Sequence, residues 1–191
     1  LIATPFSLGA AIFMTDISPN FGRTILQPTV EIFVGIPSVV YGWLGLTILV
    51  PWIKDLFNLT TGYTVLAAGI VLAVMIFPTI TSIAADAVRA VPKSFRQAAY
   101  GLGSTRWQVI YKIVLPAAIN GIMTAIILGL ARAFGEALAV AMVIGKMKAF
   151  PESILSPTTN LTSAIASDMG GAMEGGEYNM ALWSMALLLF V

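Results

Sequence analysis

From Val65 to Phe77 the sequence holds no polar side chain, and this run lies inside a longer apolar stretch over residues 62–83. In hydrocarbon every backbone N–H and C=O must find its partner within the chain, so a lone segment of this kind folds as a helix. About 20 apolar residues suffice to cross the bilayer core, and this stretch is long enough. A second run of the same character covers residues 117–145. Between the two lies the one long polar interruption, DAVRAVPKSFRQAAYGLGSTRWQVIYKIVLP over residues 86–116. It gathers five of the ten cationic side chains (Arg89, Lys93, Arg96, Arg106 and Lys112) with a single acid, Asp86.

Composition agrees with an all-α, polytopic membrane bundle. Charged residues make up 10% of the chain and hydrophobic ones 58%, whereas soluble domains carry roughly 25% charged residues. A net charge of +1 gives no argument for nucleic-acid binding. With neither Cys nor His, disulfides, thiol nucleophiles and ordinary zinc or haem sites are excluded, and no metal or cofactor is expected.

Taken in order, residues 1–15 read as the visible part of a span, and the chain opens inside an apolar run with no basic leader, as an excerpt lacking a first helix would. Residues 16–23 read as a turn containing Pro19 and Gly22. Residues 25–34, interrupted by Gln27, Pro28 and Glu31, predict a tilted or interfacial helix. Residues 35–53 predict a better span, with Tyr41, Trp43 and Trp52 as interface aromatics and Pro37 and Pro51 as bends or ends. A short polar loop over 54–61 precedes the clearest span, whose lower end is marked by Pro78, Thr79, Thr81 and Ser82. Residues 146–178 form a long polar segment, and a last span begins at Asn179, giving about five spans in one domain. Asn58-Leu59-Thr60 and Asn160-Leu161-Thr162 fit the glycosylation pattern, which a bacterial chain would ignore. If the basic stretch lies in the cytoplasm, six cations (Arg23, Arg89, Lys93, Arg96, Arg106 and Lys112) face three outside (Lys54, Lys146 and Lys148), in accord with the positive-inside rule.

The basic stretch reads as two short helices around a bend. Pro92 suits a first helical turn. Phe95, Ala98, Ala99 and Leu102 recur at helical spacing on one apolar face, with Arg96, Gln97 and Tyr100 off it. Gly101 and Gly103 offer a left-handed stop. Thr105 with Gln108 has the form of a capping box, opening a second helix that ends at Leu115-Pro116. Ala98, Ala99 and Gly103 form a small-residue face that another protein could approach closely. An ordinary basic cytoplasmic loop would show many of the same features.

Two charges, Arg132 and Glu136, stand inside the second apolar run. A charge at mid-bilayer costs about 3 kcal/mol on insertion scales. At i, i+4 on one helix the two could pair. They read either as an ion pair fixing helix register or as a polar patch lining a substrate route. Gly121, Ala125, Gly129 and Ala133 form a small-residue stripe along the same run, with a second strip at Ala131, Gly135 and Ala139, and such stripes let membrane helices pack closely.

Gln97-Ala98-Ala99, Gly103, Ile113 and Leu115-Pro116 fit the pattern EAA-x3-G-x9-I-x-LP, with Gln97 where Glu is usual. In this the chain resembles the permease subunits of ABC importers, whose cytoplasmic EAA loop carries that pattern. Residues 35–42 (GIPSVVYG) and 131–137 (ARAFGEA) are similar to segments of phosphate-importer permeases, and Ala139-Val140 resembles their PstC type. The resemblance implies a type I, MetI-like transmembrane domain over 1–191, multi-pass in a prokaryotic inner membrane. It implies transport of phosphate with Arg132 and Glu136 on the substrate pathway. It implies an ATPase-coupling loop at about 86–116 carried by Arg96, Gln97, Ala98, Ala99, Leu102 and Gly103. The expected partners are a second, PstA-like permease, a dimer of ATP-binding subunits and an extracytoplasmic phosphate-binding protein. No GxxxxGK[ST] segment is present, so ATP hydrolysis would belong to another subunit and the chain itself is no enzyme. A permease for another anion, such as sulfate or molybdate, keeps the EAA pattern. A channel or an intramembrane enzyme would need no ATPase dock, and Arg132 is a poor proton shuttle.

Overall fold

The computed structural model describes residues 2–190, so Leu1 and Val191, at the outer ends of the first and last expected spans, lie outside the described residues. Among the described residues there are helices and no strand. They are α1 (Ala3–Ile17), α2 (19–35), α3 (Ser38–Phe57), α4 (Val65–Arg89), α5 (Lys93–Gly101), α6 (Arg106–Gly135), α7 (Leu138–Val143), α8 (Leu161–Asp168) and α9 (Glu177–Phe190). Helices α3, α4 and α6 are long and apolar enough to cross a membrane, and α1 is a shorter apolar helix.

The prolines explain where the sequence reading and the structure part. Among the described residues four five-residue π turns interrupt the helices, at Phe13–Ile17, Gly22–Leu26, Gly45–Leu49 and Ile110–Val114. Each is followed two residues later by a proline: Pro19, Pro28, Pro51 and Pro116. A proline ring collides with the carbonyl four residues before it and brings no N–H donor. In the widened turn the N–H just before the proline reaches back five residues instead, as Val50 does to Gly45 and Leu115 to Ile110. At Pro28, Pro51 and Pro116 the helix therefore continues, while before Pro19 it breaks at Ser18. Pro51 does not end α3, and Pro116 lies inside α6 rather than at the close of a short helix. Pro78 likewise lies within α4, which runs six residues past the expected end at 83. The predicted turn over 16–23 contracts to Ser18, with Pro19 opening α2.

The chain divides into two compact units, one formed by Val74–Arg132 with the segment up to Gly35, the other by Ile36–Ala73 with the segment from Ala133 onward. In the first unit a core of Val88, Val91, Ala99, Val109, Val114, Ala118 and Ile122 joins the end of α4, α5 and the start of α6. The stripe on α6 lies against α4: a Cβ on Gly121 would stand 2.5 Å from Ala87 Cβ, and one on Gly129 2.5 Å from Ile80 Cγ1. Ala125 between them is wholly buried. Buried Ser7 and Thr81 both donate to the carbonyl of Phe77, at 3.2 and 2.7 Å, next to Pro78.

In the second unit α7 packs on α3 through Gly42, where a Cβ would fall 2.8 Å from Ala139 Cα. Buried Thr64 caps α4 by accepting from Ala67 N–H at 3.0 Å. The N–H groups of Val65 and Leu66 are taken by the carbonyls of Ser156 and Ile154, so the segment after α7 folds back onto a helix end that would otherwise be unsatisfied.

Candidate substrate route and coupling helix

Arg132 lies in the last turn of α6 and is part-buried. Its Nη1 donates to Thr79 Oγ1 on α4 at 3.0 Å. Close contact of α4 and α6 along Gly121, Ala125 and Gly129 is what brings these two side chains within reach. Thr79 takes one of the five guanidinium N–H donors and leaves the fork able to hold a further acceptor. The sequence reading counted Thr79 only as a mark of a span's end. Its hydroxyl, four residues from Ile83 in an apolar run, was the available signal.

Glu136 does not share that helix. Helix α6 stops at Gly135, and residues 136–137 are non-helical before α7 begins. The i, i+4 pairing geometry expected for Arg132 and Glu136 is therefore absent. Glu136 Oε1 instead accepts from Ala139 N–H at 3.1 Å, a carboxylate at a helix N-terminus, where the exposed donors favour negative charge. Its carbonyl accepts from Thr162 Oγ1 at 3.1 Å, tying the break to α8. The second small strip is also divided: Ala131 and Gly135 are exposed on α6, while buried Ala139 belongs to α7.

The basic stretch is resolved into the two helices expected, with shifted ends. Asp86 and Arg89 belong to α4 and pair at 3.4 Å. Pro92 sits at the cap position just before α5. The helix closes in a Schellman motif: Gly103 N–H donates to Tyr100 O at 2.9 Å and Ser104 N–H to Ala99 O at 3.1 Å. Gly103 has φ +78°, which a side chain would strain. The capping box at Thr105 is present in both halves, Gln108 N–H to Thr105 Oγ1 and Thr105 N–H to Gln108 Oε1.

The apolar face of α5 is split. Ala99 is 3% exposed and packs into the core, so the close approach expected there is made by this chain itself. Phe95, at 53% exposure, is half uncovered and Leu102, at 88%, almost wholly so, and Ala98 and Gln97 are exposed beside them. Arg96 points the other way. It forms an ion pair with Asp16 of α1 and donates to Val88 O at 2.9 Å, adding to the long 3.4 Å bond which that carbonyl accepts from Val91 N–H at the end of α4. Arg96 thus anchors α5, a pairing across 80 residues of sequence that no local pattern signals.

The polar segment 146–178 has its own clasp. Lys148 donates to Tyr178 Oη at 2.7 Å and lies 3.3 Å from Asp168 Oδ2, while the Tyr178 hydroxyl donates to the same carboxylate. Bonding to Tyr178 and then Lys148 holds the Asp168 carboxyl below its usual range, and bonding to Tyr178 and then Asp168 raises the Lys148 ammonium. Asn160, read as a glycosylation match, is the cap of α8, its Oδ1 accepting from Ser163 N–H at 2.8 Å.

An all-α bundle of membrane-length helices, joined by a short amphipathic helix at a basic surface, defines an integral membrane subunit. Residues 5–191 match the family described as binding-protein-dependent transport system inner membrane component, and the chain belongs to that family. It is 54% identical over 191 residues to a Bacillus subtilis protein named "Probable ABC transporter permease protein YqgH", covering all of this chain and 62% of that one. To the "Phosphate transport system permease protein PstC" of Pasteurella multocida it is 39% identical, covering 65% of that protein, and to the protein of the same name from Haemophilus influenzae 37% identical, covering 66%. The chain spans a little under two thirds of the length of these relatives.

Proposed function

We propose that this chain is part of a permease subunit of an ATP-driven phosphate importer, in which it forms half of the translocation pathway and takes its motion from a separate ATPase. The observation that carries the reading is the exposed half of α5. Phe95, Ala98 and Leu102 stay uncovered on a short helix whose other side is fixed by Ala99 and by the Arg96–Asp16 pair. A rigid, anchored lever with one open apolar face suits docking to a soluble engine that pushes on it. Two ATP-binding subunits would be the engine, with the basic stretch on the cytoplasmic side, and a second, PstA-like permease would complete the pathway. A phosphate-binding protein would deliver the anion to the outer side, where segment 146–178 lies in this reading.

The names of the PstC relatives support phosphate as the substrate. Arg132 and Glu136 are the charges assigned to the route. Phosphate is a strongly hydrated anion, and a guanidinium offers a planar, permanently charged fork that matches its oxygens. Thr79 orients that fork from one side. Passage also requires release, so the site holds the anion briefly rather than tightly.

The test is Leu102→Glu in the assembled transporter. A carboxylate at the centre of the docking face should abolish ATPase co-purification and phosphate uptake while leaving membrane insertion and thermal stability unchanged. Undiminished uptake and co-purification would refute the docking assignment. Uptake stimulated by sulfate or molybdate but not by phosphate would replace the substrate.

A further inference from the structure

In the first unit, where the α1–α2 turn meets the end of α4 and α5, lies a cavity of about 660 Å³, within the roughly 300–1,000 Å³ typical of small-molecule sites. Four cations line it: Arg23 from α2, Arg89 from the last turn of α4, and Lys93 and Arg96 from α5, with no carboxylate in the lining. Arg96 is matched by Asp16 and Arg89 by Asp86. The remaining acid on α2, Glu31, accepts from Gln27 Nε2 at 2.8 Å. Among the described residues Arg23 and Lys93 have no carboxylate within ion-pair distance. Two uncompensated cations in one concavity focus a positive potential that calls for an anion.

The surroundings identify its kind. Buried Met14 and Val91 and the ring of Tyr100 line the same cavity, while Ile17, Phe21 and Ile25 are exposed on α1 and α2 next to Pro19 and Arg23. The cavity opens at the level where α4, a membrane-length helix, ends in Arg89. A soluble anion has no use for the apolar neighbours, whereas a phospholipid needs a cationic seat for its phosphate and apolar surface for its chains, the combination found in basic pockets between membrane helices. We infer that this cavity is a binding site for the headgroup of an anionic phospholipid, which contacts Arg23 and Lys93 and so bridges α2 to α5. Phe95, Ala98 and Leu102, the docking face of α5, are not in the lining, although Gln97 beside them is, and the inference stands whether or not that face binds an ATPase.

Native mass spectrometry of the full-length protein in detergent, titrated with phosphatidylglycerol, phosphatidylcholine or inorganic phosphate, tests it. Phosphatidylglycerol should be retained in preference to phosphatidylcholine, and inorganic phosphate at equal concentration should not displace it. The double variant Arg23→Gln/Lys93→Gln should weaken retention about 25-fold, at roughly fivefold for each cation near a membrane surface. Lys54→Gln, a cation outside the cavity, should bind as the parent does. Both altered side chains are exposed, and an unchanged melting temperature without lipid shows that the variant is folded. Equal retention of the two lipids, or undiminished retention by the double variant, overturns the inference. So does displacement by inorganic phosphate, which makes the site one for the free anion. Protection of Lys93 from amine labelling by the ATPase alone, with lipid absent, also overturns it and gives the cavity to a protein partner.

Discussion

Replacing Gly121 by Ala tests the close contact that positions Arg132. The added Cβ would meet Ala87 Cβ at 2.5 Å and Ala87 Cα at 3.4 Å. Ordinary carbon–carbon contact is about 3.5–4.0 Å, so the two helices must separate by roughly 1 Å. Ala87 has no torsion that could move its methyl aside, so backbone has to move. Overpacking of this kind costs about 1–3 kcal/mol, against which the better helix propensity of Ala returns at most about 1 kcal/mol. A net loss of about 1–2 kcal/mol is expected. Reversible unfolding in mixed micelles, followed by tryptophan fluorescence, measures it. Gly135→Ala, with nothing within 4 Å of the new Cβ, should be near neutral, and Ala87→Gly in the Gly121→Ala background should restore most of the loss. A Gly121→Ala protein as stable as the Gly135→Ala control, or one that Ala87→Gly fails to rescue, would refute the contact.

Two further outcomes follow from the ion pairs. Asp16→Asn leaves Arg96 without its countercharge at a site where the carboxylate is 9% exposed and the guanidinium 21%. It should cost about 2–3 kcal/mol in the same unfolding assay and loosen α5, seen as faster amide exchange over 93–101. The clasp of Lys148, Asp168 and Tyr178 should depend on pH at both extremes. Because the folded Asp168 pKa lies below the ordinary 3.8, its contribution is complete above that value and fades as pH falls through the lowered one. Because the folded Lys148 pKa lies above 10.5, its contribution is complete below 10.5 and fades as pH rises through the raised one. Proteolysis within 146–178 should therefore be slow between about pH 4 and pH 10 and faster on either side, with Asp168→Asn removing the acid limb.

What the sequence revealed was local or periodic. The Thr105–Gln108 capping box and the Gly103 stop depend on residues within a turn or two of one another and are present as expected, and of the periodic stripe on α6 Gly121, Ala125 and Gly129 are closely packed. The reading of Pro78 and Pro116 as helix ends went wrong for a physical reason, whereas Pro37, read as a bend or an end, does cap a helix. In soluble helices Pro51, Pro78 and Pro116 would be stops, but in membrane helices neighbouring hydroxyls and widened turns satisfy the freed carbonyls, and nothing local marks which outcome holds. The break after Gly135 falls within ARAFGEALAVAMV over 131–143, which has no proline or polar turn to mark it, so the sequence extends over Glu136 a helix that stops one residue earlier. The Asp16–Arg96 and Arg132–Thr79 contacts join residues 80 and 53 positions apart and depend on packing that a single sequence does not encode visibly. Asn160 was different, since an N-cap signal was present in Asn160 and Ser163 and was passed over for the overlapping glycosylation pattern.

The central claim is that the Arg132 guanidinium, oriented by Thr79, is the cationic station on the phosphate route. Its most direct measurement is phosphate uptake by the reconstituted transporter carrying Arg132→Ala or Arg132→Lys. Loss of charge-assisted bonds worth about 1.5–3 kcal/mol should slow Arg132→Ala roughly 10- to 100-fold, with Arg132→Lys between it and the parent and both proteins fully inserted. Uptake at the parental rate by a correctly inserted Arg132→Ala transporter would contradict the account.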